Sequence, residues 1–143
     1  MIAPDSSVVI AALAPWHEAH HPSRTAIQEA EVRLPAHVAF ETTSALSRMP
    51  KGRRIAPTVV LTALERDFTQ PWLALDGGDL RAALQRAVAA GIRGGALYDA
   101  LIAATAATHD AEILSADRRA LATYQAIGVR VRFVDALSIG LSI

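Results

Sequence analysis

GGALYDALIAATAATHDAEILSAD, residues 94–117, changes its hydrophobic period once, and that change sets the fold class. From Leu97 to about Thr108 the apolar positions recur at helical spacing, with Ile102, Ala103 and Ala106 on one face. From Ala111 onward, AEILSAD is a short apolar run that ends in turn residues, the mark of a buried strand and its exit turn. Asp99 is the one charged side chain between Arg93 and Asp110, and ionisation is penalised in such apolar surroundings unless something compensates it.

The same alternation runs outward from this stretch. MIAP (1–4) opens the chain, and a helix capped by Asp5 or Ser6 follows and stops at Pro15. HEAHHPSRTAIQEAE (17–31) carries helical spacing with polar faces. VRLP is a short strand leading into a helix from about Ala36 to Met49. KGRRIAP is a basic loop, and TVVLTALERDF is helical. PWLAL reads as a short strand, and DGGDLRAALQRAVAAGI as a helix with Gly91 near its end. RRALATYQAIG is a helix ended by Gly128, and VRVRFV (129–134) alternates as a strand. Short strands separated by helices imply a parallel sheet covered on both faces, so the fold class is α/β.

The chain has 143 residues, is 52% hydrophobic and carries no net charge. That length suits one domain, and the composition excludes a disordered chain. No cysteine is present, which removes disulfides and thiolate metal sites. The longest apolar run, VVIAALA, is far short of the ~20 residues that span a bilayer. No basic leader precedes it, so a soluble cytoplasmic protein is expected. A neutral chain is no general nucleic-acid coating protein, and any nucleic-acid contact must come from a local patch.

In open α/β sheets, ligands sit beyond the C-terminal ends of the strands. That rule selects Asp5, Asp117 and Asp135. Asp5, Asp99 and Asp117 can each also serve as helix caps. Glu41 lies beyond the first helical turn and shares a face with Val38, Ala45 and Leu46, so a cap does not explain it. If Asp5, Glu41, Asp99 and Asp117 converge, two carboxylates ~4 Å apart repel by roughly 4 kcal/mol at an effective dielectric near 20. Such a cluster needs protons or a hard cation. Oxygen donors without Cys or His suit Mg²⁺ or Mn²⁺. The chemistry natural to such a site is phosphodiester hydrolysis by metal-activated water.

Asp5 and Ser6, FETTSALSRMP around Glu41, GGALYDALIAATA around Asp99 and ILSADRRALATY around Asp117 together resemble the PIN-domain ribonucleases, more closely the VapC toxins of toxin–antitoxin pairs. The resemblance spans nearly the whole chain, with the four motifs in the family's order and spacing. It implies a single PIN-like domain over residues 1–143, a three-layer α/β/α sandwich around a small central parallel sheet. It also implies a Mg²⁺- or Mn²⁺-dependent RNA endonuclease that forms a homodimer and is inhibited by a VapB-type antitoxin. Asp5 and Asp99 are then the main metal ligands, Asp117 and Glu41 complete the catalytic site, and Ser6 orients a carboxylate or water. Pro4 departs from the family pattern, since proline lacks a ladder N–H and shortens a strand. Ser115 stands where threonine is commoner. The competing readings are a housekeeping RNA-processing nuclease of the same fold and a catalytically silent PIN fold acting as a binding module.

RMPKGRR places Arg48, Lys51, Arg53 and Arg54 within seven residues, shortly after Glu41. These residues, with Arg118 beside Asp117, are candidates for RNA phosphate contact. His17 and His21 belong to a polar helix face and His109 to a helix C-terminus. No histidine is assigned as a general base. Trp16, Phe40, Trp72 and Tyr98 fit core or dimer packing better than base stacking. The double substitution Arg48→Ala with Arg53→Ala is expected to weaken RNA binding and flatten its dependence on log salt, by roughly 0.7 in slope for each single-strand phosphate that is no longer neutralised. An unchanged slope in a salt titration removes the patch from the interface.

Overall fold

The computed structural model describes residues 1–29 and 31–134. Asp135 therefore lies outside the described residues. Three strands, β1 (Ile2–Pro4), β2 (Glu112–Ser115) and β3 (Val131–Phe133), form a parallel sheet in the order β1-β2-β3. Pro4 pairs with Leu114 and Ser115 with Phe133, which sets the register. The helices are α1 (Ser6–Leu13), α2 (His20–Glu29), α3 (Ala36–Ser47), α4 (Pro57–Asp67), α5 (Gly77–Ala89), α6 (Ala96–Thr108) and α7 (Leu121–Ile127), the last preceded by a 3₁₀ turn at Arg118–Ala120.

The switch of period read in residues 94–117 is made in a very short turn. His109 caps α6, and its N–H bonds back to Thr105 and Ala106. Asp110 then adopts a left-handed backbone, φ 54°, a conformation that aspartate tolerates better than most residues. The Ala111 N–H still reaches the Ala106 carbonyl at 2.8 Å before β2 begins. At the other end of the sheet, Gly128 (φ 88°) ends α7 and turns the chain toward β3.

Ile113 and Leu114 point to opposite faces of β2 and both are buried, so the sheet is covered on both sides. Both α1 and α6 pack against β2. Around them, α1 contacts α2 and α3, α3 contacts α4, and α6 contacts α5 and α7. Alanines 100, 103, 104 and 106 are all buried along α6, and their small side chains let that helix lie close to its neighbours. Arg24 of α2 grips Asp67 at the end of α4 at 2.7 Å.

Two expected strands are smaller than their sequences suggest. VRLP and PWLAL contribute isolated parallel bridges, Ile2 with Val32 and Pro35 with Leu73. Proline explains much of this. The Ile2 N–H and carbonyl bond outward to Glu31 and Arg33, but Pro4, next in phase on that edge of β1, has no N–H to continue the ladder. On its inner edge β1 is regular, and the Asp5 N–H extends the ladder to the Leu114 carbonyl at 2.9 Å. The segment from His17 to Ala19 is a turn, with α2 starting at His20, so His17 and His21 do not share a helix face.

The aromatic residues also divide. Trp72 is half-buried against the core, whereas Phe40 and Tyr98 are 76% and 55% exposed, which leaves only the dimer half of the expected core or dimer packing for these two. On α3 the buried stripe is Val38, Ala39, Thr42 and Leu46, and Phe40 falls on the far side of it. Leu46→Ala, at a fully buried position, is expected to cost roughly 2–5 kcal/mol, against roughly 0.5 kcal/mol or less for the exposed Val59→Ala. Urea denaturation of both variants checks the packing; equal costs would contradict it.

Candidate active site

Asp5 follows β1 directly and caps α1, as its place between an apolar strand and SSVVIAAL demands. Its carboxylate is almost wholly buried and is fully engaged. Oδ1 accepts from the Val8 N–H at 3.3 Å and from the Ser7 hydroxyl, and Oδ2 accepts from the Tyr124 hydroxyl at 2.6 Å. Burial first, then the charge of Asp5 and the hydrogen bond to it, hold the Tyr124 phenol well above its ordinary range, with Asp99 and Glu41 adding to the effect. Tyr124 is therefore a permanent donor. The adjacent β1 and α1 and the distant α7 meet on this one carboxylate.

Glu41 and Asp99 stand beside it on α3 and α6. Burial, then the Asp99 charge, then the Asp5 charge, push the Glu41 carboxyl up to about 7. Burial, then Asp5, then Asp117, push Asp99 up to about 6. Glu41 Oε1 is buried with no hydrogen-bond partner. His37, one turn earlier on α3, brings Nε2 to 3.8 Å from that oxygen, too far for a hydrogen bond, and Nε2 has no partner either. Burial lowers the His37 pKa while Glu41 is raised, so both groups are driven toward their neutral forms and the contact is not a formed ion pair. The His37 ring instead stacks on Tyr98, centroids 5.3 Å apart and planes 9° from parallel.

Asp117 lies in the turn after β2. Its Oδ1 accepts from the Arg119 N–H at 3.0 Å and from the Arg119 guanidinium at 3.1 Å. Ser115 at the end of β2 is buried, and its hydroxyl accepts from the Asp117 N–H at 3.1 Å. The Ser7 hydroxyl accepts in turn from the Ala116 N–H at 2.8 Å, which locks the turn after β2 to the start of α1.

The sequence expectation gave the orienting hydroxyl to Ser6. The structure gives the bond to Asp5 to Ser7, because the two side chains diverge by about 100° around α1. Ser6 lines a groove with Glu41, His37 and Arg48 instead. Among the described residues Arg118 pairs with no carboxylate; its guanidinium lies 4.5 Å from the centre of the Phe133 ring. In the basic segment, Arg48 donates to the Ser44 carbonyl and Arg54 to the Met49 carbonyl, both at 3.1 Å, and Arg53 packs 5.1 Å from the Trp16 ring centroid. With Lys51 they form an exposed basic surface, of which Arg48 alone lines the groove beside Glu41.

Four carboxylates from four separate stretches of chain thus influence one another at one end of the sheet. As they stand, no three His, Asp or Glu side chains among the described residues are close enough together to hold a metal ion. Asp5 is turned to Tyr124 and Ser7, and Asp117 to Arg119. The donor chemistry fits a divalent cation all the same. The set is all oxygen, its members repel one another, and a buried Glu41 oxygen lacks any partner. Ser7, His37 and Tyr124 are the neighbours that sequence reasoning missed. Tyr124 could have been found, since it shares the apolar stripe of Ala120 and Ile127, and a phenol there requires a buried acceptor.

The chain belongs to the PIN-domain family, whose model matches residues 2–126. It is 41% identical over 134 residues to Ribonuclease VapC40 of Mycobacterium tuberculosis, covering 94% of this chain and 99% of that protein. It is 39% identical over 131 residues to Ribonuclease VapC27 of the same organism, covering 91% and 94%. The fold also matches FitAcB from Neisseria gonorrhoeae, with a TM-score of 0.66 at 20% identity over 92% of this chain and 96% of that one. A second solved structure, PAE2754 from Pyrobaculum aerophilum, gives 0.63 at 20% identity over 99% and 96%. The parallel sheet and flanking helices expected from the sequence are those of this family.

Because the folded chain holds Glu41 and Asp99 above ordinary carboxylate values, it binds more protons than the unfolded chain. Its metal-free stability should therefore fall as pH rises from the ordinary carboxylate range through about 7. Glu41→Gln should flatten that slope in chelator-treated protein followed by thermal melts. Added Mg²⁺ or Mn²⁺ at 100 times Kd should raise stability by ~2.7 kcal/mol in the wild type and not in Asp99→Asn.

Proposed function

We propose that this protein is a divalent-metal-dependent RNA endonuclease of the VapC type, the toxin of a toxin–antitoxin pair. The observation that carries the reading is the gathering of Glu41, Asp99 and Asp117 around a firmly bonded Asp5 at one end of the sheet, in a chain whose relatives over nearly its full length are named ribonucleases. A surface that concentrates uncompensated carboxylates binds neither phosphate nor sugar well by itself. It would suit a hard cation, whose charge would offset the repulsion among the acids and attract an RNA phosphate.

Asp5, Asp99 and Asp117 are the residues that would hold Mg²⁺ or Mn²⁺, with Glu41 completing the set. The ion, when bound, supplies a Lewis acid that lowers the pKa of water and draws charge from the leaving oxygen. Ser7, the Val8 N–H and Tyr124 hold the Asp5 carboxylate in place at the end of β1, beside the other acids. Arg119 directs Asp117 through two hydrogen bonds to its Oδ1. Arg48 provides a positive charge at the rim of the groove for a neighbouring phosphate. Arg53, Arg54, Lys51 and Arg118 extend that charge over the surface.

Exposed apolar side chains support partners as well. Leu80 and Leu84 flank a cavity of about 350 Å³ between α5 and α6, and Leu61 flanks one of about 300 Å³ between α3 and α4. These surfaces fit a homodimer and a VapB-type antitoxin. No helix among the described residues is long and apolar enough to cross a membrane, which accords with action in the cytoplasm.

His37 supports a second reading of the chemistry. A histidine beside the acids could act as general base on the RNA's own 2′-hydroxyl, which would leave a 2′,3′-cyclic phosphate. Hydrolysis by water in line leaves a 5′-phosphate and a 3′-hydroxyl instead. Induction of wild type and Asp5→Asn in cells, followed by mapping of new RNA 5′ ends, is expected to show 5′-phosphate ends and growth arrest only for the wild type. Cyclic-phosphate ends that vanish in His37→Ala would transfer the reaction to the histidine. Identical end maps and growth would leave a silent binding module.

A further inference from the structure

Phe40 and Tyr98 are the least explained residues near the acids. They are large, apolar and 76% and 55% exposed, and each immediately precedes a site carboxylate, Glu41 and Asp99 respectively. Neighbours on a helix diverge by about 100°, so a ring and the adjoining carboxylate can border one depression. Phe40 and Glu41 do so. They line a groove of about 400 Å³ together with Tyr98, His37, Ser6 and Arg48. The volume lies within the ~300–1,000 Å³ of ordinary small-ligand sites.

The groove therefore presents one carboxyl group, two aromatic rings and a guanidinium. A phosphodiester next to an unstacked base offers partners for each of these groups. The His37 ring, parallel to Tyr98 at 5.3 Å, holds that phenol in a fixed plane before anything binds. Arg48 is likewise braced, by its bond to the Ser44 carbonyl. Both supports reduce the ordering that a ligand must impose.

We propose that this groove seats one splayed-out nucleobase of single-stranded RNA against Phe40 and Tyr98, with Arg48 on the adjoining phosphate. The proposal rests on the nuclease reading above and extends it to substrate form. Stacking uses the face of a base, which all four bases share, whereas a base locked in a duplex cannot enter. The enzyme should then demand an unpaired nucleotide next to the cleavage point while tolerating changes in its identity.

The test measures kcat/KM on short single-stranded oligoribonucleotides, intact or with one abasic nucleotide moved along the sequence. Phe40→Ala and Tyr98→Ala should each lower kcat/KM on intact RNA by roughly ten-fold or more, the scale of one base–aromatic stack, while Phe40→Trp and Tyr98→Phe retain it. At one abasic position the wild type should fall by a similar factor and Phe40→Ala should fall no further. Strictly multiplicative losses at every position would overturn the proposal, as would no loss at all. Unchanged cleavage combined with impaired self-association in sedimentation would assign the rings to a protein interface and also overturn it. Thermal melts separate these effects from misfolding. If the wild type cleaves no RNA in Mg²⁺ or Mn²⁺, the nuclease reading fails by itself. Anisotropy on the same oligonucleotides then decides the groove: an intact-over-abasic preference that disappears in Phe40→Ala supports it, and equal affinities refute it.

Discussion

The buried carboxylate of Asp5 is the joint on which the site is assembled. Its backbone N–H completes the ladder to β2, its side chain caps α1, and its second oxygen holds the Tyr124 hydroxyl of α7. A buried anion is tolerated only when its oxygens are satisfied, and here the chain satisfies them from three directions. Moving any of those elements would leave a charge unpaired in the interior. The arrangement therefore fixes the end of the sheet where the other acids gather.

Those other acids are kept in a less comfortable state. Glu41 and Asp99 are half-buried, repelled by their neighbours and raised toward neutrality. Arg24 on Asp67 and Arg119 on Asp117 show that this chain readily supplies cations to carboxylates elsewhere. A site that leaves two acids uncompensated is strained in its electrostatics, and local strain of this kind concentrates at functional sites. The fold bears it because α3 and α6 are anchored by wholly apolar stripes, among them Val38, Leu46, Ile102 and Ala103.

Much of the fold was legible in the chain. The shift from helical to strand period in residues 94–117, the cap at Asp5 and the stop at Gly128 all appear where local chemistry puts them. Two strands shrank to single bridges because proline removes the donors that a ladder needs, at Pro4 and Pro35. In the site, Asp5 and Glu41 were legible for different reasons, one as a carboxylate after a strand, the other as a carboxylate on an apolar stripe. Ser7 and His37 were not, since neither hydroxyl nor imidazole announces which way it faces around a helix.

The sequence by itself determined the class of fold, the positions of the acids and the oxygen-only character of any metal site. These follow from period, capping and composition, which act over a few residues. Only the tertiary structure decided that Tyr124 meets Asp5 across 119 positions, that Ser7 and not Ser6 supplies the hydroxyl, and that Phe40 and Tyr98 stand out in solvent around a shared groove. Those facts depend on how helices rotate and pack against one sheet. A hydrogen bond or a shared groove between distant segments has no local signature, because it comes into being only when the layers close.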